Sequence, residues 1–193
     1  MSCSVLTNLT IGCADETANA GFSKMYIKAD AEVTAVTFGA STAHTVTGVT
    51  LADGAVFIEL NGRFATKSIA SEVAKENGGA MYTHTLEVFV PKVEKTKAEF
   101  LANLDKIRGV IAIVEMYEGA GSNKQGLFFG WDKKIGKDAF LKPQISQMVE
   151  ATINGQNGYM VQFVGNSTEL TREFIGTITV EDGSTGTSVQ IGS

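Results

Sequence analysis

The sequence predicts an α+β fold, mainly antiparallel β, with a single substantial helix. Three observations carry that prediction. Residues 96–108 show a helical period, Val110 to Val114 is an unbroken apolar run, and the rest is mostly short β-like stretches punctuated by Gly, Asn and Ser. At 193 residues the chain can bury one good core without needing a second domain. Residues 1–193 are therefore read as one structural domain, with a flexible N-terminal arm over about 1–22 and a C-terminal tail over about 181–193.

The arm mixes apolar and small polar residues, with room for one short strand around Val5 to Ile11. In FSKMYIKADAEVTAVTFG, Met25 and Ile27 oppose Tyr26 and Lys28, and Val33 to Phe38 continues the β-branched character, so one or two strands follow. The Thr-rich stretch STAHTVTGVTLADG lacks a period and reads as a loop or a loose hairpin ending at Asp53-Gly54. Val56 to Leu60 reads as a strand. The Asn61-Gly62 turn then predicts a hairpin with the run from Phe64 to Val73, because both turn residues tolerate positive φ. Met81 to Val90 is a long strand with Leu86, Val88 and Val90 on one face and Glu87 and Phe89 on the other, and Pro91 ends it.

The helix is predicted over about 96–108. Thr96 and Glu99 match a capping box, and Phe100, Leu101, Leu104 and Ile107 form one apolar stripe. Lys106 and Arg108 complement the C-terminal dipole, and Gly109 supplies a stop. Val110 to Val114 is then a central strand buried on both faces, the 118–126 stretch a turn, and Leu127 to Trp131 the returning partner. Residues 132–146 read as irregular. Gln147 to Asn154 and Tyr159 to Val164 form another hairpin, and Phe174 to Val180 is the last strand. The Gly-, Ser- and Thr-rich tail reads as mobile, or ordered by a partner.

Composition narrows the function classes. Only 19% of residues are charged, so part of the surface is expected to be covered by neighbouring chains. A net charge of −5 removes the basic footprint that grips nucleic acid. Cys3 and Cys13, with two His in the whole chain, do not make a zinc site; they read as an unpaired thiol pair, with a disulfide as the alternative and an intracellular origin expected. The first thirteen residues lack a basic start and a continuous apolar stretch, so they do not read as a secretory or lipoprotein signal. No run approaches the ~18 apolar residues of a membrane helix, and no membrane partner is expected.

No constellation for catalysis, metal or cofactor stands out, and the chain is not read as an enzyme. His44 sits in a Thr-rich loop, and His84 lies in an alternating strand as a surface or edge residue. Glu115 and Glu118 read as solvated strand-end carboxylates. Gly119 to Lys124 lacks the Gly-Lys-Ser/Thr ending of a phosphate loop, and Asp53-Gly54 and Asp182-Gly183 are turns. Phe128, Phe129 and Trp131 read as core.

Several segments together resemble structural proteins of tailed bacteriophages of Bacteroidetes bacteria, in particular tail tube-like subunits. The matching residues are Gly12, Cys13, Asp15 and Gly21, the aromatic strand Lys24-Met25-Tyr26-Ile27, and the strand–helix unit at 86–108. The apolar run at 111–115, a Gly turn with a Phe/Gly/Trp return strand, and the late Asn157-Gly158-Tyr159 hairpin through Gly165 complete the set. The 118–126 turn and the 132–146 segment are longer than the pattern. The resemblance implies a β-sandwich or rolled sheet flanked by one helix, and homo-oligomeric rings, six-fold, stacked into a conduit through which genomic DNA passes without specific binding. It implies other virion proteins as partners and localisation in the phage tail after synthesis in the host cytoplasm. Edges at 56–60 or 174–180 are expected to pair across subunits, the two termini to order only against neighbours, and Asp15, Glu16 and Glu32 to line the channel. Alternatives are a head-decoration or head–tail connector subunit, or a cell-surface or carbohydrate-binding module using Trp131, Tyr117 and Tyr159.

Overall fold

A computed structural model describes residues 22–40, 44–60, 68–76, 79–116, 125–149, 157–182 and 186–192. It is mostly antiparallel β-sheet with one α-helix. In chain order the strands are β1 (Phe22–Ala29), β2 (Val33–Phe38), β3 (Thr45–Leu51), β4 (Ile58–Glu59), β5 (Ser68–Glu76) and β6 (Gly79–Pro91). After α1 (Lys95–Asp105) come β7 (Val110–Met116), β8 (Gly126–Phe129), β9 (Lys142–Val149), β10 (Asn157–Ser167), β11 (Arg172–Phe174), β12 (Gly176–Val180) and β13 (Thr187–Ile191).

These strands form three layers. A seven-stranded sheet has the order β2-β3-β11-β8-β7-β1-β4, a four-stranded sheet the order β5-β6-β10-β9, and β12 and β13 make a hairpin of their own. Side-chain alternation assigns the two cores. From β7, Val110, Ala112 and Val114 join Met25, Ile27, Leu86, Val88, Val161 and Phe163 in one cluster shared with the four-stranded sheet. Ile111 and Ile113 point the other way, into a cluster with Tyr26, Val46, Phe174, Ile178 and Ile191 beneath the β12–β13 hairpin. The unbroken apolar run of β7 thus serves two cores from the middle of the larger sheet, as its sequence predicts.

The helix stripe also meets expectation. Leu101 and Leu104 are buried in the cluster between the sheets, with Phe100 and Ile107 packed beside them. Its ends differ. Glu94 is the N-cap, without a side-chain capping bond, so the Thr96–Glu99 box does not form. The last turn carries no basic side chain, and Gly109 has no positive φ. Glycine is needed there for close approach instead: a Cβ at 109 would lie 2.6 Å from Phe140 Cβ.

Several expectations are corrected. The 45–51 stretch is not a loop but β3, antiparallel to β2 and parallel to β11. The 56–60 strand shrinks to β4, which pairs with β1, whereas β5 pairs with β6 in the other sheet, so the hairpin across Asn61-Gly62 does not form. Within 132–146, β9 begins at Lys142. Residues 174–180 divide between β11 and β12. The C-terminal stretch is no mobile tail: residues 187–191 pair with β12, and Ile191 is 2% exposed. The arm strand at 5–11, the Asn61-Gly62 turn itself and most of the 118–126 turn lie outside the described residues.

Candidate functional site

The most elaborate polar constellation sits where the two large sheets are joined, in the crossing from β10 to β11. Gly130, at φ 90°, turns the chain after β8; a Cβ there would lie 2.6 Å from the Val110 carbonyl oxygen. The turn delivers Asp132, which is fully buried. Its Oδ1 accepts the backbone N–H of Lys134 at 2.5 Å and of Ile135 at 3.2 Å. Its Oδ2 accepts Ser167 Oγ at 2.8 Å, Thr168 N–H at 2.6 Å and Thr168 Oγ1 at 2.7 Å. Burial would raise the carboxyl pKa, but these donors outweigh it and hold it at about 2. With all its lone pairs engaged, the carboxylate ties the β8 exit to the end of β10.

Around this lock, Glu169 and Arg172 form a two-pronged ion pair at 2.8 and 2.5 Å, and Lys133 N–H donates to Glu169 Oε1 at 3.3 Å. His84, expected at a surface or edge, is instead 4% exposed on an internal strand. Its ring packs edge-on to Phe129 at 5.6 Å, and its Nδ1 lies 2.8 Å from Ser71 Oγ on the neighbouring β5. Burial lowers the His84 pKa, partly opposed by a hydrogen bond to the Glu169 carbonyl and by the Asp132 charge. Sequence reasoning missed this cluster. Asp132 followed by Gly136 at φ 55° was its one local signal, an Asx-type turn.

The remaining sequence candidates are dispersed. His44 Nε2 lies 3.0 Å from the Leu170 carbonyl oxygen. Glu115 is not solvated: it is 8% exposed and accepts Ser23 Oγ at 3.0 Å. The neighbouring Tyr26 hydroxyl is buried without a hydrogen bond of ordinary geometry. Burial, with the Glu115 and Glu59 charges, raises its pKa. Asp182 accepts Gly186 N–H at 2.9 Å and Thr187 Oγ1 at 2.7 Å. Tyr159 is core at 6% exposure, and Trp131 packs edge-on against Phe140, so the aromatic platform of a binding module is not assembled from them. Tyr117, Glu118, Cys3, Cys13, Asp15 and Glu16 lie outside the described residues.

What the lock positions is the four-stranded sheet, whose outer strands β5 and β9 each pair on one side only among the described strands. Both ladders are uninterrupted, with nine registered pairs for β5 and eight for β9. By contrast, the β2 edge of the larger sheet is broken by two register shifts, a common protection against pairing. The edges expected to be free are used within the chain. Phe57 N–H donates to the Thr179 carbonyl at 2.8 Å, Glu181 N–H donates to the Phe57 carbonyl at 2.8 Å, and β12 pairs with β13. The sheet's outer face is mixed: Thr83, Thr85, Gln144 and Ser146, a Gln162–Glu87 bond at 2.8 Å and a Thr83–Asn166 bond at 3.0 Å stand among Met81, Phe89, Met148, Met160 and Val164. Glu72 and Glu87 outnumber Lys142 among its described charged side chains.

No protein-family model, curated protein or solved structure matches this chain.

Proposed function

We propose that this chain is a self-assembling structural subunit, a tail tube protein of a tailed phage, whose stacked rings form a conduit for DNA in the virion. The observation that carries the reading is the pair of outer strands on the four-stranded sheet, β5 and β9, whose outward sides no described strand covers and whose registers with their inner neighbours are unbroken. With four antiparallel strands, β5 and β9 run in opposite directions, so β9 of one copy meets β5 of the next as an antiparallel pair. Head-to-tail repetition about a rotation axis then closes into a barrel without an edge. Six copies, the number implied by the family resemblance, enclose a barrel roughly 35–45 Å across at the backbone. The outer face becomes its lining, and the slight acidic excess of its described charged side chains lets phosphates pass without being held. Glu32, expected to line the channel, instead pairs with Lys28 at 2.8 Å on the β1–β2 turn, outside this sheet.

The test is assembly. Negative-stain microscopy of the purified chain is expected to reveal rings or tubes, and monomers at every concentration would overturn the reading. On an edge strand, alternate residues direct their N–H groups away from the sheet. Of Ser146→Pro and Gln147→Pro, one is therefore expected to abolish assembly while leaving the fold intact. Two folded variants that both still assemble would exclude β9 as the contact.

A further inference from the structure

The two outer strands of the four-stranded sheet are out of step with each other. Ile69, Leu86, Phe163 and Pro143 stand in one row across it, and from that row β5 runs toward one end of the sheet and β9 toward the other. Only the rows of Ser68, Ile69 and Ala70 reach both strands, ending in Gln144, Pro143 and Lys142. The backbone of both strands also follows one rule. Lys92 N–H bonds the Asn157 carbonyl, so odd-numbered residues of β10 bond toward β6 and even-numbered ones toward β9. Alternation carries this outward. On β5 and β9 alike, even-numbered residues are engaged with the inner neighbour, and odd-numbered ones turn N–H and C=O away from the sheet. The same odd-numbered residues turn their side chains toward the core. Ile69 and Ile145 pack against it, while Val73 and Val149, further along, stay 52% and 65% exposed.

We infer that β9 of one copy pairs with β5 of the next in a single register, with Ile145 opposite Val73, Gln147 opposite Ser71 and Val149 opposite Ile69. The inference rests on the tube reading and specifies its contact. In this register every residue of β9, from Lys142 to Val149, meets a residue of β5. Outward-facing backbone groups meet outward-facing ones, apolar side chains meet apolar ones, and each exposed valine gains an isoleucine. Pro143 has no N–H, so the exchanged bonds run from Ile145 to Val149. Neighbouring registers lose the match. One step one way sets Ile145 against Ser71 and Gln147 against Ile69, and carries Val149 past the end of β5. One step the other way sets Gln147 against Val73 and Val149 against Ser71. Ile69 shares a row with Pro143 in its own copy and meets Val149 in the next, a slide of six residues. That is roughly 20 Å along the strands over a sheet width of roughly 19 Å. The strands therefore tilt about 45° to the axis, at the top of the roughly 35–45° at which barrels close. At this tilt six copies reach roughly 50 Å across, wider than gentler tilts give.

Disulfide trapping reads the register. Cys3→Ser and Cys13→Ser remove the native thiols. Ser146→Cys is then combined with Glu72→Cys, which the register sets opposite each other as a non-hydrogen-bonded pair about 4.5 Å apart at Cα, within disulfide reach. Two controls combine Ser146→Cys with Ala70→Cys or with Ala74→Cys, one register step either way. All four positions are exposed, and within one copy β9 and β5 lie on opposite edges of the sheet, so every link joins two copies. Particles checked by negative-stain microscopy are oxidised mildly and run on a non-reducing gel. The expected result is a ladder of covalent oligomers that forms at least tenfold faster with Glu72→Cys than with either control. A faster control overturns the register and leaves the pairing of β9 with β5 standing. Particles in which no combination links overturn both the register and that contact, while the tube reading survives on other surfaces. Monomers at every concentration overturn the tube reading and the register with it.

Discussion

Replacing Asp132 tests whether the junction between the two large sheets is held by one carboxylate. Asp132→Ala removes an acceptor that satisfies five donors, three of them backbone N–H groups and two hydroxyls. Hydrogen bonds to a charged group contribute about 1.5–3 kcal/mol each, but the hydroxyls can rotate toward other acceptors. A net loss of about 3–5 kcal/mol follows, in the range for disrupting a buried network. Asp132→Asn keeps the shape and part of the bonding, and it is expected to lose about 1–3 kcal/mol at neutral pH. The two proteins then diverge with acidity. The folded carboxyl sits at about 2 against an ordinary 3.8, so its contribution is complete above pH 4 and is lost as the pH falls through 2. The shift corresponds to at most about 2.5 kcal/mol, of which about 1–2 is lost by pH 2.5, part-way through the transition. Urea unfolding followed by the fluorescence of Trp131, the one tryptophan, reads the adjacent residue directly. Between pH 5 and pH 2.5 the parent is expected to lose about 1–2 kcal/mol more than Asp132→Asn, since other carboxylates cancel in the difference. Parallel pH profiles, or an Asp132→Ala cost under about 0.5 kcal/mol, would refute the lock.

Three further predictions follow from packing and titration. Leu104, 4% exposed, faces the cluster between the sheets, so Leu104→Ala is expected to cost about 2–5 kcal/mol in urea unfolding, well beyond a surface change on α1. Because burial lowers the His84 pKa, the unfolded chain takes up its proton first. Stability is expected to fall as the pH drops below about 6.5, and His84→Gln to flatten the profile between pH 7 and 5. Gly158→Ala is expected to cost about 1–3 kcal/mol by the same assay, because its Cβ would lie 2.3 Å from the Val90 carbonyl oxygen and 2.7 Å from the Phe89 ring.

Local chemistry by itself determined the helix, β7, its β8 partner and the long β6. In each, side-chain periodicity and burial point the same way: the Phe100 to Ile107 stripe has one apolar face, and Val110 to Val114 has two. The alternation of Met25 and Tyr26 likewise assigned each to a different core. Tertiary structure alone decided which strands pair. Asn61-Gly62 favours a local hairpin, but β4 is drawn to β1 and β5 to β6, because burying Phe57, Leu60 and Leu86 in two separate cores outweighs a turn preference. The same holds for the C-terminal stretch, whose Gly, Ser and Thr content reads as tail until Ile191 closes the second core. The lock was illegible for a related reason. Asp132, Ser167 and Thr168 stand 35 and 36 residues apart, and only the turn at Gly130 and the β10–β11 crossing bring their polar atoms together. Sequence reports what each segment would bury; which segment it buries against is a property of the assembled sheets.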